Sequence, residues 1–223
     1  MNVQILRNEL QHVLSGKSSV RFGGTLQSIA RYLGNGAGTS RAIEDQKRFK
    51  KQEEESLIPF IADNQLWLHT IDFSQYVSEG AEQRVFLQDN RHVIKLNDAI
   101  YYRCWLEYFQ NLLLHNYFFV DTAYQFLGFI KENNHLYCAI QQNYVSTDSG
   151  TEIESVKSFM AANGFRNNRN NDYIHDELGI IIEDLHDENV LTKNEVLYFI
   201  DTVFYTTDKF WNSEQLSLET IIP

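Results

Sequence analysis

Over the first sixty residues, apolar positions recur every three or four residues. Val3, Leu6, Leu10, Val13 and Leu14 fall on one face of a helix, and Gly16 is placed to end it. A second helix is expected over 25–33. A third starts near Ser40 and carries the mixed-charge run 44–55 as a solvated face, with Pro59 bending or ending it. Between them, Gly34-Asn35-Gly36-Ala37-Gly38-Thr39-Ser40 has the glycine content of a phosphate loop. It follows a helical pattern rather than a strand and lacks the Lys of a Walker A motif, so it reads as a linker.

From Leu66 the period shortens. Short extended runs at 66–68, 76–77 and 85–87 precede an Asp89-Asn90 turn and the run 92–96, which together predict a β-hairpin. A helix over 99–118 follows, with Trp105, Phe109, Leu112 and Leu113 as its stripe. A second hairpin pairs 124–130 with 136–142 across the polar turn 131–134. Then come a helix over 151–162 stopped by Gly164, a polar loop at 167–171, the apolar run 178–182 and one more strand at 196–200. The pattern is α+β without internal repeats. It divides into a helical N-terminal extension (1–63), a β-rich part with one main helix (64–142) and a short helical C-terminal part (143–223).

At 223 residues the chain can bury a core without disulfides or metals. Its net charge of −11 repels nucleic-acid phosphates and anionic lipid, so neither nucleic acid nor membrane is an expected partner. Local positive charge and a metal suffice for a nucleotide pocket, so nucleotide binding stays open. Cys104 and Cys138 lie in apolar runs without metal-ligand spacing and read as free thiols of a reducing compartment. The N-terminus has no signal-peptide pattern and no apolar run approaches a membrane span, which makes the cytoplasm the expected location.

The chemistry concentrates in Ile182-Glu183-Asp184-Leu185-His186-Asp187-Glu188-Asn189-Val190-Leu191 and in Leu197-Tyr198-Phe199-Ile200-Asp201. An Asp, an Asn five residues on, and a second Asp at the end of an apolar strand are the parts that phosphoryl transfer needs. One carboxylate orients or deprotonates a hydroxyl, while an amide oxygen and another carboxylate offer hard oxygens to Mg²⁺. The rival reading is a capping Asp and a turn Asn on an acidic surface.

The loop 184–191 resembles the catalytic loop of the protein-kinase superfamily, in the variant with His two residues after the Asp, as in aminoglycoside and choline kinase-like branches. The chain from about 60 to 205 is similar to the small serine/threonine/tyrosine-kinase-like domains of polyvalent proteins of phages and mobile elements. The resemblance implies a minimal bilobal fold with a truncated C-lobe and an ATP- and Mg²⁺-dependent phosphotransferase whose acceptor is a protein or a small molecule. It implies that Asp184 orients the acceptor and that Asn189 and Asp201 hold the metal. Lys95, in Val93-Ile94-Lys95, would contact the phosphates, with Glu107 as its ion-pair partner, although Arg103 four residues earlier is a competing partner for that glutamate. Gly80 and Ala81 fall where a phosphate-covering loop would lie, and Gln142 and Asn143 where a hinge would hold adenine. The sequence departs from the family in three ways. Gly80 stands alone in its loop, Ile182 and Glu183 occupy positions where many protein kinases carry His and Arg, and residues 202–223 are too few for a full activation segment and helical lobe. Those departures keep a second expectation alive, a nucleotide- or partner-binding module without catalysis; an unrelated α+β domain is the third.

Overall fold

The computed structural model of the chain describes residues 2–36, 46–79 and 83–212. Among these residues, six helices and three antiparallel sheets make an α+β fold. Helices α1 (Val3–Leu14), α2 (Gly23–Gly36) and α3 (Gln46–Asp63) come first. The Asn2 side chain accepts the Gln4 and Ile5 N–H groups and so caps donors that the first turn of α1 leaves unpaired. Replacing Asn2 by Ala is expected to cost about 1 kcal/mol, seen as a lower urea midpoint; an unchanged midpoint would show that this end of α1 contributes nothing.

The glycine segment read as a linker begins inside α2; its residues 37–40, and the expected helix start at Ser40, lie outside the described residues. Pro59 neither ends nor breaks α3, which continues to Asp63. A proline removes one helix hydrogen bond, and here Leu57 and Ile61, fully buried on either side of it, hold the turn by packing.

The main sheet has the order β1-β2-β3-β5-β4, from β1 (Tyr76–Glu79), β2 (Gln83–Leu87), β3 (His92–Asn97), β4 (Gln125–Glu132) and β5 (His135–Asn143). Asn133 and Asn134 join β4 to β5 with φ of +48° and +66°, the left-handed pair that a two-residue hairpin needs. The run 66–68 pairs with the sheet edge at one point: Leu68 N–H donates to Phe129 O and Phe129 N–H to Leu66 O, both at 2.8 Å. Gly128 permits that approach, since its φ is +154° and a Cβ there would lie 2.7 Å from Leu66 O.

Helix α4 (Trp105–Phe118) starts later than the periodicity suggests. Asn97 and Asp98 accept the N–H groups of Ala99 and Ile100, and Ala99 sits at φ +56°, so local side-chain bonds hold this stretch out of the helix. Nor is α4 amphipathic. Tyr108 and Leu114 are buried along with the expected stripe, because α1, α2 and α3 surround the helix and the strand β11 (Val203–Thr206) covers another flank. Glu53 of α3 accepts Trp105 N–H at 2.6 Å and caps α4, whose own N-cap residue Cys104 makes no side-chain cap bond. One hydrophobic core runs from Leu6 to Phe210.

Helix α5 (Ile153–Ala162) ends before Gly164 at φ +82°, as its spacing predicts. The expected helical C-terminal part is otherwise corrected by the structure. After α5 come β6 (Arg166–Arg169), β7 (Asp172–His175), β8 (Ile180–Glu183), β9 (Val190–Lys193), β10 (Val196–Phe199), β11, and the single turn α6 (Asp208–Trp211). They form a sheet of order β11-β8-β7-β6 and the separate hairpin β9-β10. The polar stretch 167–171 is a hairpin turning at Asn170, φ +47°. Every residue of β6 is exposed, so no alternation marks it as a strand.

Cys138 is buried and Cys104 half-buried. Burial pushes the Cys138 thiol up and the Cys104 thiol to about 12, which keeps both unreactive. No helix among the described residues is long and apolar enough to cross a membrane.

Candidate active site

A cavity of about 550 Å³ opens between the main sheet and the β8–β11 region. Its walls are apolar on both sides, with Val77, Val85 and Val93 from the main sheet and Leu191 and Val203 opposite. Lys95, Asp184, Asn189 and Asp201 all line it, as do Gln142 and Asn143 at the end of β5. Lys95 lies on the main sheet and Asp184 directly follows β8 of another sheet, and the contacts of Lys95 with Ile200 O and Asp201 join the two sides of the cavity.

The loop after β8 turns sharply. Asp184 has φ +68°, a left-handed backbone that costs about 1–2 kcal/mol for a residue with a side chain. Leu185 and Val190 are fully buried and pin the loop at both ends. Within it, Asn189 Nδ2 donates to Asp184 O at 2.9 Å and to Asp184 Oδ2 at 3.0 Å. His186 Nδ1 accepts the Glu188 N–H at 3.2 Å, and its Nε2 lies 3.3 Å from Asp184 Oδ1 and 3.1 Å from Asn189 Nδ2. His186 thus braces the loop from inside.

The β9–β10 hairpin, turning at Asn194 and Glu195 with φ of +50° and +62°, pairs Phe199 with Val190. That register returns the chain to the cavity. Ile200 N–H donates to Asn189 O at 2.9 Å, and Asp201 follows beside Asn189. Asp201 Oδ2 accepts a short hydrogen bond from Gln83 Nε2 and lies 3.6 Å from Lys95 Nζ. Among the described residues no hydrogen bond reaches Oδ1 of Asn189 or Oδ1 of Asp201. No group of three or more His, Cys, Asp or Glu side chains among them is arranged to hold a metal.

Lys95 is 4% exposed on β3. Its Nζ donates to Ile200 O at 2.8 Å and sits 5.5 Å above the Tyr124 ring. Burial lowers its pKa, and the Asp201 carboxylate opposes that shift. Glu107 is not its partner. Both Glu107 oxygens are taken by Arg103, through the backbone N–H, Nε and Nη2 at 2.5–2.9 Å. Arg103, one helical turn earlier and just outside α4, reaches Glu107 without any tertiary pairing. Gln142 is buried and its Nε2 donates to Thr122 O at 2.7 Å, while its backbone faces the cavity end of β5. Gly80 and Ala81 lie outside the described residues.

Several residues around the site carry no sequence signal. Gln83 reaches Asp201 across 118 positions of chain. Tyr124 OH donates to Ile200 O at 3.0 Å, beside Lys95. His115 of α4 is fully buried, stacked on Tyr124 at 4.1 Å; its Nε2–H donates to Thr122 O at 3.0 Å, and the Thr202 hydroxyl donates to its Nδ1 at 2.7 Å. The residues on both sides of Asp201 are therefore held by α4 and the segment that follows it.

A family model described as a serine/threonine/tyrosine kinase found in polyvalent proteins matches residues 50–208. No curated protein and no solved structure matches the chain.

Proposed function

Since the chain belongs to the serine/threonine/tyrosine kinases found in polyvalent proteins, we propose that it moves the terminal phosphoryl group of ATP, with Mg²⁺, onto a hydroxyl presented at Asp184. The observation that carries this reading is the convergence of Lys95, Asp184, Asn189 and Asp201 on one cavity with apolar walls. In our reading the fold is bilobal, with residues 64–142 as the N-lobe, 143–223 as a short C-lobe and 1–63 as a helical extension, and the nucleotide enters the cleft between the lobes. Val85 and Leu191 on the two walls, with Gln142 and Asn143 at the end of β5, would hold its base. Gly80 and Ala81 are assigned to the phosphates from their place in the sequence alone.

Lys95 then contacts the phosphates, whose charge favours the ammonium form that burial disfavours. The donor chemistry at Asn189 and Asp201 suits Mg²⁺: two hard oxygens, Asn189 Oδ1 and Asp201 Oδ1, that no hydrogen bond among the described residues occupies. Asn189 and Asp201 would hold the Mg²⁺, which would supply positive charge for the phosphates. Asp184 accepts the proton of the attacking hydroxyl, held toward the cleft by Asn189 and His186. The gain comes from positioning and charge stabilisation rather than from covalent chemistry. The acceptor is a protein side chain or a small molecule.

One observation favours a second reading, a nucleotide-binding module without transfer: Glu107 is committed to Arg103 and leaves Lys95 without its expected partner. Thermal unfolding with ATP, in Mg²⁺ and in EDTA, is the first test. At 100 times Kd, ligand binding contributes about 2.7 kcal/mol, so the wild type should show a raised Tm with Mg²⁺ only, and Lys95→Ala and Asp201→Ala should lose it. No shift at millimolar ATP would remove the nucleotide reading. A shift without any phosphate release or transfer would favour the second.

A further inference from the structure

We propose that Asp172 is a positioning residue for Asp184: its carboxylate holds the turned backbone that presents Asp184 to the cleft. The consequence for turnover rests on the phosphoryl-transfer reading, whereas the contact itself does not.

Strand β8 alternates. Ile180 and Ile182 are fully buried, and Ile181 and Glu183 are half-buried. Continued with a period of two, the strand would place residue 184 on the buried face. A carboxylate cannot occupy that position without a partner. The left-handed backbone at Asp184 breaks the alternation, sends Leu185 into the core and leaves Asp184 at the cavity. Beyond the last β7–β8 pair, Tyr173 with Ile182, the N–H groups of Asp184 and Leu185 lie outside the ladder. Both are recovered by the start of β7. Asp172 Oδ1 accepts Asp184 N–H at 3.1 Å, and Asn171 O accepts Leu185 N–H at 3.1 Å.

Among the described residues, Asp172 is the side chain from outside the loop that bonds the backbone N–H of Asp184. Its charge is not what the site favours. The Glu183 carboxyl is held above its usual range by burial and then by the charges of Asp172 and Asp184, so a negative group at 172 adds repulsion. The hydrogen bond to Asp184 N–H is what it contributes. The turn of the β6–β7 hairpin, whose strand β6 is exposed throughout, delivers Asn171 and Asp172 to the loop.

Asp172→Ala and Asp172→Asn separate the bond from the charge, since Asn keeps an oxygen that can accept. In the full chain, residue-resolved amide exchange and steady-state turnover would be measured together. Asp172→Ala should speed exchange of the Asp184 amide about tenfold. It should lower kcat about 10- to 100-fold while nucleotide Kd stays within about twofold. Asp172→Asn should restore both. An unchanged Asp184 amide in Asp172→Ala overturns the proposal. So does an equal loss of kcat in the two variants, which would assign the effect to charge, or faster exchange throughout the core, which would make Asp172 merely structural. A wild type without turnover would instead sink the phosphoryl-transfer reading, and the amide readout would still decide the contact.

Discussion

Replacing Asp184 by Asn is expected to lower turnover by about 10²–10⁴-fold, the range for loss of a positioned general base, with nucleotide affinity nearly unchanged. Asn is the informative substitution at this position. It tolerates the left-handed φ of +68°, and its side-chain oxygen can still accept the Asn189 Nδ2–H that Asp184 Oδ2 accepts. What is removed is the charge and the basicity. Measuring kcat and Kd for nucleotide separately makes the result decisive. A large fall in kcat alone supports proton acceptance by Asp184. A parallel loss of affinity would mean that Asp184 serves the nucleotide, and unchanged kcat would pass the role to Glu188, another carboxylate lining the cavity.

Stability is expected to depend on pH through two buried groups that act in opposite senses. His115 is neutral in the fold because both ring nitrogens are used and burial pulls its pKa from 6.5 to about 3. Between those values the unfolded chain binds the proton and the folded chain does not, so stability falls as pH drops from 6.5 toward 3, by about 1.4 kcal/mol per pH unit. Glu53 behaves oppositely. Burial raises its carboxyl from 4.5 to about 7, so the folded chain holds the proton and the associated stability is complete below 4.5 and lost as pH rises through 7. From pH 6.5 to 4.5 the two contributions nearly cancel, and below 4.5 His115 acts alone. Glu53→Gln removes the compensation. Its urea midpoint should then start to fall near pH 6.5, and its additional acid loss relative to wild type should reach about 3 kcal/mol by pH 4.5. Taking the difference between the two profiles cancels the exposed carboxylates. Parallel profiles would show that Glu53 is ionised in the fold.

The loop chemistry was legible in the sequence because it is local. Asp184 and Asn189 are five residues apart with apolar anchors on both sides, and those anchors, Leu185 and Val190, are the residues the core buries. The hairpins of the main sheet were legible for the same reason, being alternating strands about Asn or Asp turns. Lys95 came from the resemblance of Val93-Ile94-Lys95 to the lysine strand of kinases. Three kinds of feature were not legible. Strand β6 has no buried residue and so no alternation, and its polar residues look like a loop. The start of α4 is decided by Asn97 and Asp98 side chains competing with helix hydrogen bonds, which a hydrophobic period does not register. The partners of the site residues depend on which faces are buried together.

That last kind divides what sequence determined from what tertiary structure decided. Hydrophobic period, turn residues and motif spacing determined the α+β class, most elements of the main sheet and the residues that meet at the cavity. Only the fold decided that Gln83 caps Asp201, that His115 and Tyr124 hold the chain around Asp201, and that Asp172 accepts the Asp184 N–H. It also decided that the N-terminal helices surround α4 within the one core. The physical reason is range. Periodicity and turn preference act over a few residues, whereas a hydrogen bond between distant segments forms only after burial has brought their faces together, and it leaves no local trace in either segment.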